Sequence, residues 1–188
     1  MTKPGYKLTE IGEIPEEWGC EPLRKVCEIY DNRRVPLNES ERGQRKGHFP
    51  YCGANGVLDY IDDFLFDGSY VLLAEDGGLY SSYEKSAYLM KGKFWVNNHA
   101  HILKGIVGKL NDEFLINCLN FLDLGKYIVG STRVKLNQEA TKSICIPYPP
   151  LPEQQKIAEI LTTADRKIEL IDHEIQVGEI RIEPYDLG

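Results

Sequence analysis

The sequence lacks the features that mark membrane proteins, secreted proteins and disulfide-stabilised proteins. No apolar run approaches the roughly 18 residues of a membrane-spanning helix, and the start Met1–Pro4 has no apolar signal core. The five cysteines are odd in number and form no CxxC pair, which argues against a disulfide framework or a zinc finger. We therefore expect a cytoplasmic protein without a membrane partner, whose thiols are reduced and mostly packed.

Motifs for catalysis are also missing. There is no glycine-rich Walker loop, no dinucleotide fingerprint and no Asn-Pro-Pro-aromatic segment of the kind that adenine methyltransferases carry. Glu75 and Asp76 are adjacent, and on a strand they would point to opposite faces, which favours a turn over a catalytic pair. His99 and His101 would share a strand face, but no Cys or carboxylate at a matching short spacing completes a zinc site. We expect no catalytic residue, no metal site and no cofactor of its own.

Net positive charge is absent too, which by itself argues against nucleic-acid binding. The formal net charge is −7, but residues 151–188 carry nine acidic and four basic side chains, whereas 1–150 carry 20 and 18. Charges in the first part also form blocks along the chain. The acidic block is Asp59, Asp62, Asp63, Asp67, Glu75 and Asp76; the first basic block is Arg24, Lys25, Arg33, Arg34, Arg42, Arg45 and Lys46; the second is Lys126, Arg133, Lys135 and Lys142. One face can therefore be locally positive, although ordinary mixed surface charge is the alternative.

A cluster of prolines divides the chain. Four prolines in the six positions 147–152 prevent a strand ladder or a helix from running through this segment. Pro152 suits a first helical turn, and Gly178 with Pro184 beyond it is typical of a helix end. We predict a domain over 1–146, a hinge over 147–152, a helix over 153–177 and a tail over 178–188.

The predicted helix carries an unbroken heptad seam. Its apolar residues follow each other at steps of four, three, four, three and four: Ile157, Leu161, Ala164, Ile168, Ile171 and Ile175. Such a seam needs a partner helix, so we predict a coiled coil between two copies. The alternative is a helix that packs on its own domain.

Within the domain, local patterns predict strands, turns and one helix. The segment 31–47 is basic and contains two glycines and a proline, which predicts a loop whose Arg33, Arg34, Arg45 and Lys46 reach phosphates, or else a mobile insertion. Asn55-Gly56 marks a tight turn. We predict a buried strand over 69–74, a strand pair within 94–103, and a helix from Asn111 or Asp112 to Leu124.

A second segment, 127–137, is the stronger candidate for contacts with nucleic acid. Its centre is Gly-Ser-Thr-Arg, in which small residues allow close approach and the hydroxyls of Ser131 and Thr132 suit phosphates. Arg133 suits guanine O6 and N7, and Lys135 adds a cation. The alternative for Arg133 is an exposed arginine in a turn.

The chain resembles the specificity subunits of Type I restriction-modification systems. The resemblance rests on an ordered set of segments: Ile14–Trp18, Pro50–Gly56, Leu72–Gly77, Trp95–His101, Val134–Asn137 and Ile146–Leu161. It implies an α+β target-recognition domain with a mixed, twisted sheet and short helices, followed by a long coiled-coil helix. It also implies that the turns lie near double-stranded DNA. Together with the basic residues above, the candidates for DNA contact are then Tyr51, Asn55, Tyr80 and Asn98, although Tyr80 and its neighbouring hydroxyls also suit an ordinary turn.

The same resemblance implies partners and a departure from the family. S-adenosylmethionine and methylation would belong to a separate methyltransferase subunit, and ATP-driven cleavage to a restriction subunit. Typical specificity subunits carry two recognition domains and two helices, whereas this chain has one of each. We therefore expect a half-subunit that pairs with a second copy. The alternative is a truncated subunit that holds or blocks methyltransferase subunits without reading DNA.

Overall fold

The computed structural model describes residues 2–130 and 134–180, with side chains up to 177. A hairpin of β1 (Tyr6–Thr9) and β2 (Gly12–Pro15) comes first in the chain. The remaining elements are β3 (Gly19–Pro22), α1 (Leu23–Val26), β4 (Cys27–Ile29), a 3-10 turn (Asp31–Arg33), α2 (Glu39–Gln44), β5 (Lys46–Gly53), β6 (Gly56–Ile61), β7 (Phe66–Ala74), β8 (Ala87–Val96), β9 (Ala100–Gly105), α3 (Asp112–Phe121), a second 3-10 turn (Gly125–Tyr127), α4 (Gln138–Ser143), β10 (Cys145–Tyr148) and α5 (Leu151–Ile180).

Six strands form the central sheet in the order β4-β9-β7-β8-β5-β6. All neighbours in it are antiparallel except β5 and β8, which are parallel. A separate antiparallel pair joins β3 to β10 and so brings the two ends of the domain together. The predicted α+β class with a mixed, twisted sheet and a long C-terminal helix is confirmed.

The sheet bends sharply where two glycines face each other on β7 and β8. Gly68 and Gly92 are register partners, and both have positive φ, 137° and 85°, which side chains other than glycine rarely adopt. Beyond the bend, Phe66 and Phe94 return over the sheet and contact Tyr70, with ring centroids 5.3 and 5.9 Å apart. The curled sheet therefore encloses an aromatic cluster of its own.

The larger core lies between the sheet and α3. Asn111 begins this helix, since its side chain accepts a hydrogen bond from the Phe114 amide at 2.8 Å. Four residues of the helix are buried: Phe114, Leu115, Cys118 and Leu119. The helix ends at Phe121, three residues before the predicted end, and Leu122 and Leu124 continue the core without helical structure.

The segment 31–47 is more ordered than the predicted loop. It contains the 3-10 turn, α2 and the first residues of β5. Asn38 caps α2 reciprocally with Glu41, the side chain of each accepting a hydrogen bond from the backbone amide of the other. The sequence signal for this capping box is a single pair, Asn38 and Glu41.

Helix α5 is longer than predicted at both ends. It begins at Leu151, because the carbonyl of Pro150 accepts hydrogen bonds from the amides of Glu153 and Gln154. It continues through Gly178 to Ile180, since one glycine inside a helix costs only about 1 kcal/mol. Its first turns pack on α3, where Ala158 is buried, but Ile168 and Ile175 are 57% and 53% exposed. Beyond the first turns of α5, the described residues of this chain therefore do not cover the predicted seam.

In the described part of the chain, no helix is long and apolar enough to cross a membrane.

Candidate nucleic-acid interface

Four connecting segments meet at one end of the central sheet. They are residues 54–55, 75–78, 97–99 and 134–135, here called the loop cluster. Main-chain and amide hydrogen bonds link them: Asn55 Nδ2 donates to the Gly77 carbonyl at 2.9 Å, and the Glu75 amide donates to the His99 carbonyl at 2.9 Å. Residues that are far apart in sequence thus form one continuous polar surface.

Acidic and basic side chains alternate on the loop cluster. His99 Nδ1 lies 2.7 Å from Asp76, and Lys135 Nζ lies 3.4 Å from both Asp76 and Glu75. Partial burial would raise the pKa of Asp76, but the hydrogen bonds and charges of His99 and Lys135 outweigh it and hold that pKa below its usual value. The two carboxylates therefore fix the directions of the basic side chains.

Beneath the cluster lies a buried contact between a histidine and an aspartate. His101 is 1% exposed; its Nδ1 lies 2.6 Å from Asp31 Oδ2, and its Nε2 lies 2.5 Å from the Leu136 carbonyl oxygen. Both ring nitrogens thus lie within hydrogen-bonding distance of an oxygen atom. Burial would raise the pKa of Asp31, but His101, the Ile102 amide and Arg34 together lower it.

This contact anchors the segment that follows the Gly-Ser-Thr-Arg sequence. Leu136 is held from both sides, by His101 at its carbonyl and by the Glu75 carbonyl at its amide. Gln138, the first residue of α4, donates to Asp31 at 3.2 Å. Sequence reasoning missed the role of Asp31 and Gln138, because nothing local marks residues whose partners lie up to 107 positions away.

Some of the predicted DNA contacts do lie on this surface. Asn55 and Asn98 are exposed in neighbouring turns, and Lys135 is half-buried beside them. Val129 and Lys135 pair through two backbone hydrogen bonds of 2.9 and 3.2 Å. The predicted contacts Ser131, Thr132 and Arg133 lie outside the described residues.

Two predicted aromatic contacts are wrong. Tyr51 is 1% exposed, and its hydroxyl bonds the main chain of Leu37. Tyr80 is 8% exposed and donates to the Ala74 carbonyl at 3.3 Å. Both rings fill the core, so neither can stack on a base.

The first basic block does not form a free positive face. Arg45 lies 2.9 Å from Asp62, and Lys46 lies 2.7 Å from Asp59, because the hairpin of β5 and β6 folds the acidic block against it. Arg34 is directed inward to Glu75 at 2.7 Å, and Arg33 donates to the Leu65 carbonyl and covers the Phe66 ring. Arg33, Arg34, Arg45 and Lys46 therefore do not project together from a loop as predicted, and their contact with phosphates stays a prediction.

One group of potential metal ligands occurs among the described residues. Ligand atoms of Glu10, Cys20 and Cys145 lie within 4.8 Å of one another, although the two cysteines are 125 positions apart. Burial, followed by a hydrogen bond with Glu10, raises the pKa of Cys145 to about 12. A metal ion would have to displace protons from thiols that hold them firmly.

Comparison with known proteins identifies a family that this sequence matches. Residues 15–177 match the family described as the Type I restriction modification DNA specificity domain. A putative type I restriction enzyme specificity subunit of Haemophilus influenzae is 39% identical over 155 residues, which cover 82% of this chain and 38% of that protein. The putative MjaX specificity subunit of Methanocaldococcus jannaschii is 28% identical, over 92% of this chain and 45% of its own.

Solved structures share the fold. The S subunit of a Type I restriction-modification system from M. genitalium superposes with a TM-score of 0.66 at 18% identity, covering 95% of this chain and 46% of that one. The HsdS subunit of Thermoanaerobacter tengcongensis gives a TM-score of 0.60 at 16% identity, over 90% and 42%. The chain thus spans less than half the length of these relatives.

The match to the family covers most of the chain, and its curated members are specificity subunits, a non-catalytic family whose catalytic activities belong to other subunits. The prediction that this chain is not itself an enzyme is confirmed at the level of the family. By sequence and by fold, the chain belongs to the Type I restriction modification DNA specificity domain family.

Proposed function

We propose that this chain is a single target-recognition domain that reads double-stranded DNA sequence for a Type I restriction-modification system. The observation that carries the proposal is the loop cluster, where turns from three strand ends and the segment 134–135 present amide and ammonium groups together. Loops held by a rigid sheet are where proteins of this kind of architecture place binding residues.

The chemistry of the cluster suits base and phosphate contacts. Asn98 and Asn55 carry amides, which can bond the N6 and N7 edge of adenine in the major groove. Asn55 keeps its Oδ1 and one N–H for this purpose, since its other N–H bonds Gly77. Lys135, with Arg133, Thr132 and Ser131 from the neighbouring sequence, would add phosphate and guanine contacts.

The uncovered helix supports a paired assembly. Six seam residues occur at heptad spacing, and those beyond the first turns are exposed: Leu161, Ala164, Ile168, Ile171 and Ile175. A second copy of α5 would bury them, with Ile157 at the base of the seam. Two-fold symmetry would then present two recognition domains to inverted half-sites. Methyltransferase and restriction subunits would dock on this assembly in the cytoplasm and supply S-adenosylmethionine and ATP chemistry.

The test is DNA binding by the chain together with its methyltransferase partner. A sequence-selective gel shift should weaken as salt rises, and Arg133→Ala should abolish selectivity. Arg166→Ala removes the same side chain from exposed helix α5 and should bind normally. Normal selective binding by Arg133→Ala would overturn that residue's assignment. Absence of any selective shift in the unmodified complex would overturn the function.

A second candidate is a protein-interaction module that holds methyltransferase subunits without reading DNA. The exposed seam of α5 favours it, because a partner's helix could cover the same residues. Co-purification of the methyltransferase with no selective DNA binding by the complex would identify this alternative.

A further inference from the structure

One residue from each of the two basic blocks lines a single surface pocket. The pocket has a volume of about 360 Å³ and lies between α1, β4, the first 3-10 turn and α4. Its lining is Arg24, Cys27, Ile29, Asn32, Gln138 and Lys142. The lining thus combines two cationic side chains, two amides and an apolar floor, with no carboxylate among the described residues.

The two cations of this pocket differ in their ion pairs. Lys25 pairs with Glu21 at 2.8 Å, but its neighbour Arg24 is exposed and makes no ion pair with any described residue. Lys142 lies 2.6 Å from Glu139, whose side chain is 81% exposed. Exposed pairs of this kind are weak and are screened by salt, so the ammonium can turn to a stronger anion.

The pocket adjoins the loop cluster through one shared side chain. Gln138 lines the pocket and also donates to Asp31, which holds His101 and through it Leu136. Only Leu136 and Asn137 separate Gln138 from Lys135 in the chain. The pocket and the segment that carries Lys135 are therefore joined through one network of hydrogen bonds.

We propose that this pocket is a binding site for backbone phosphates of DNA, with Arg24 and Lys142 as the charged contacts and Asn32 and Gln138 as neutral donors. The proposal rests on the proposed function and adds to it a contact that positions the duplex without reading bases. Arg24 and Lys142 lie outside the segments that resemble specificity subunits and outside the proposed base contacts.

The experiment measures the salt dependence of selective DNA binding by the complex with its methyltransferase partner. The logarithm of the association constant falls linearly with the logarithm of salt concentration, by roughly 0.9 for each phosphate contact. The double variant Arg24→Gln, Lys142→Gln should lower this slope by about two per bound chain and weaken binding to selected and unrelated duplexes by the same factor.

A matched double variant removes the same charge elsewhere. Lys3→Gln, Lys93→Gln changes two exposed lysines outside the pocket and should leave the slope within about half a unit. Equal slopes for the pocket variant and the unmodified complex would overturn the phosphate site while leaving the proposed function intact. No selective binding by the unmodified complex would reject both.

A second arm separates DNA phosphate from free phosphate. Inorganic phosphate, titrated at constant ionic strength into the complex with DNA, should not displace the duplex at millimolar concentration. Displacement that is lost in the pocket variant would identify the site as one for small phosphates and overturn the proposal.

Discussion

At the scale of single residues, the buried contact between His101 and Asp31 decides how firmly the segment after Arg133 is held. His101→Leu removes one of several partners of the Asp31 carboxylate and the side-chain donor of the Leu136 carbonyl, which should cost about 2–3 kcal/mol of unfolding free energy. The control is His99→Leu, because His99 forms a similar pair with Asp76 at a side chain 48% exposed and should cost below about 1 kcal/mol. Urea unfolding measures both, and similar losses would contradict the network.

The same carboxylate predicts a dependence of stability on pH. The pKa of Asp31 is lowered from its ordinary 3.8, so folding favours its charged form. Its contribution is complete above about pH 4, near the unfolded value, and is lost as pH falls through the lower folded pKa. Between pH 6 and pH 3 the urea midpoint should fall, and it should fall less in Asp31→Asn. A variant with an equally steep fall would show that other carboxylates dominate.

At the scale of elements, one buried amide joins α5 to the domain. Gln154 is fully buried; its Nε2 donates to the carbonyls of Lys109 and Pro149 at 3.0 Å, and its Oε1 accepts from the Asn111 amide at 3.0 Å. These bonds connect the first turn of α5 to the loop before α3. They set the direction in which the helix leaves the domain.

Replacement of the Gln154 side chain should therefore weaken the attachment of α5 to the domain. Gln154→Leu keeps a similar volume but leaves two carbonyls and one amide without partners, at an expected cost of about 2–3 kcal/mol. Gln155→Leu makes the same change at the next, exposed position and should alter stability by less than about 0.5 kcal/mol. Chemical unfolding distinguishes them, and equal stabilities would mean that the apolar contacts of Ala158 hold the helix alone.

At the scale of the whole molecule, the exposed seam predicts two-fold assembly. Ile168→Asp places a charge in the centre of the seam and should convert dimers to monomers in light scattering. Leu170 is similarly exposed, at 62%, but lies off the seam, so Leu170→Asp should leave the mass unchanged. An unchanged mass for Ile168→Asp would show that the seam does not hold two copies together.

DNA selected by the complex should contain an inverted repeat, which the Ile168→Asp variant should reduce to single half-sites.

Much of the fold follows from short-range patterns. Strand β10 continues through Pro147 to Tyr148, and Pro149 and Pro150 then separate it from α5. Asn55-Gly56 makes a turn, and the apolar spacing after Ile157 makes a helix with one exposed apolar face. Each signal acts between residues within a few positions, so the sequence by itself determined the proline break, the long C-terminal helix and the Asn-Gly turn.

Tertiary structure alone decided which surfaces meet. The charge blocks suggested an open basic face, yet the hairpin of β5 and β6 pairs Lys46 with Asp59. Tyr51 was expected at the surface, yet its ring is buried in the core. His101 and Asp31 are 70 positions apart, and no local pattern joins them. Periodicity tells which side of a strand or helix is apolar, whereas partners are chosen by the packing of the whole sheet, which forms only when distant segments come together.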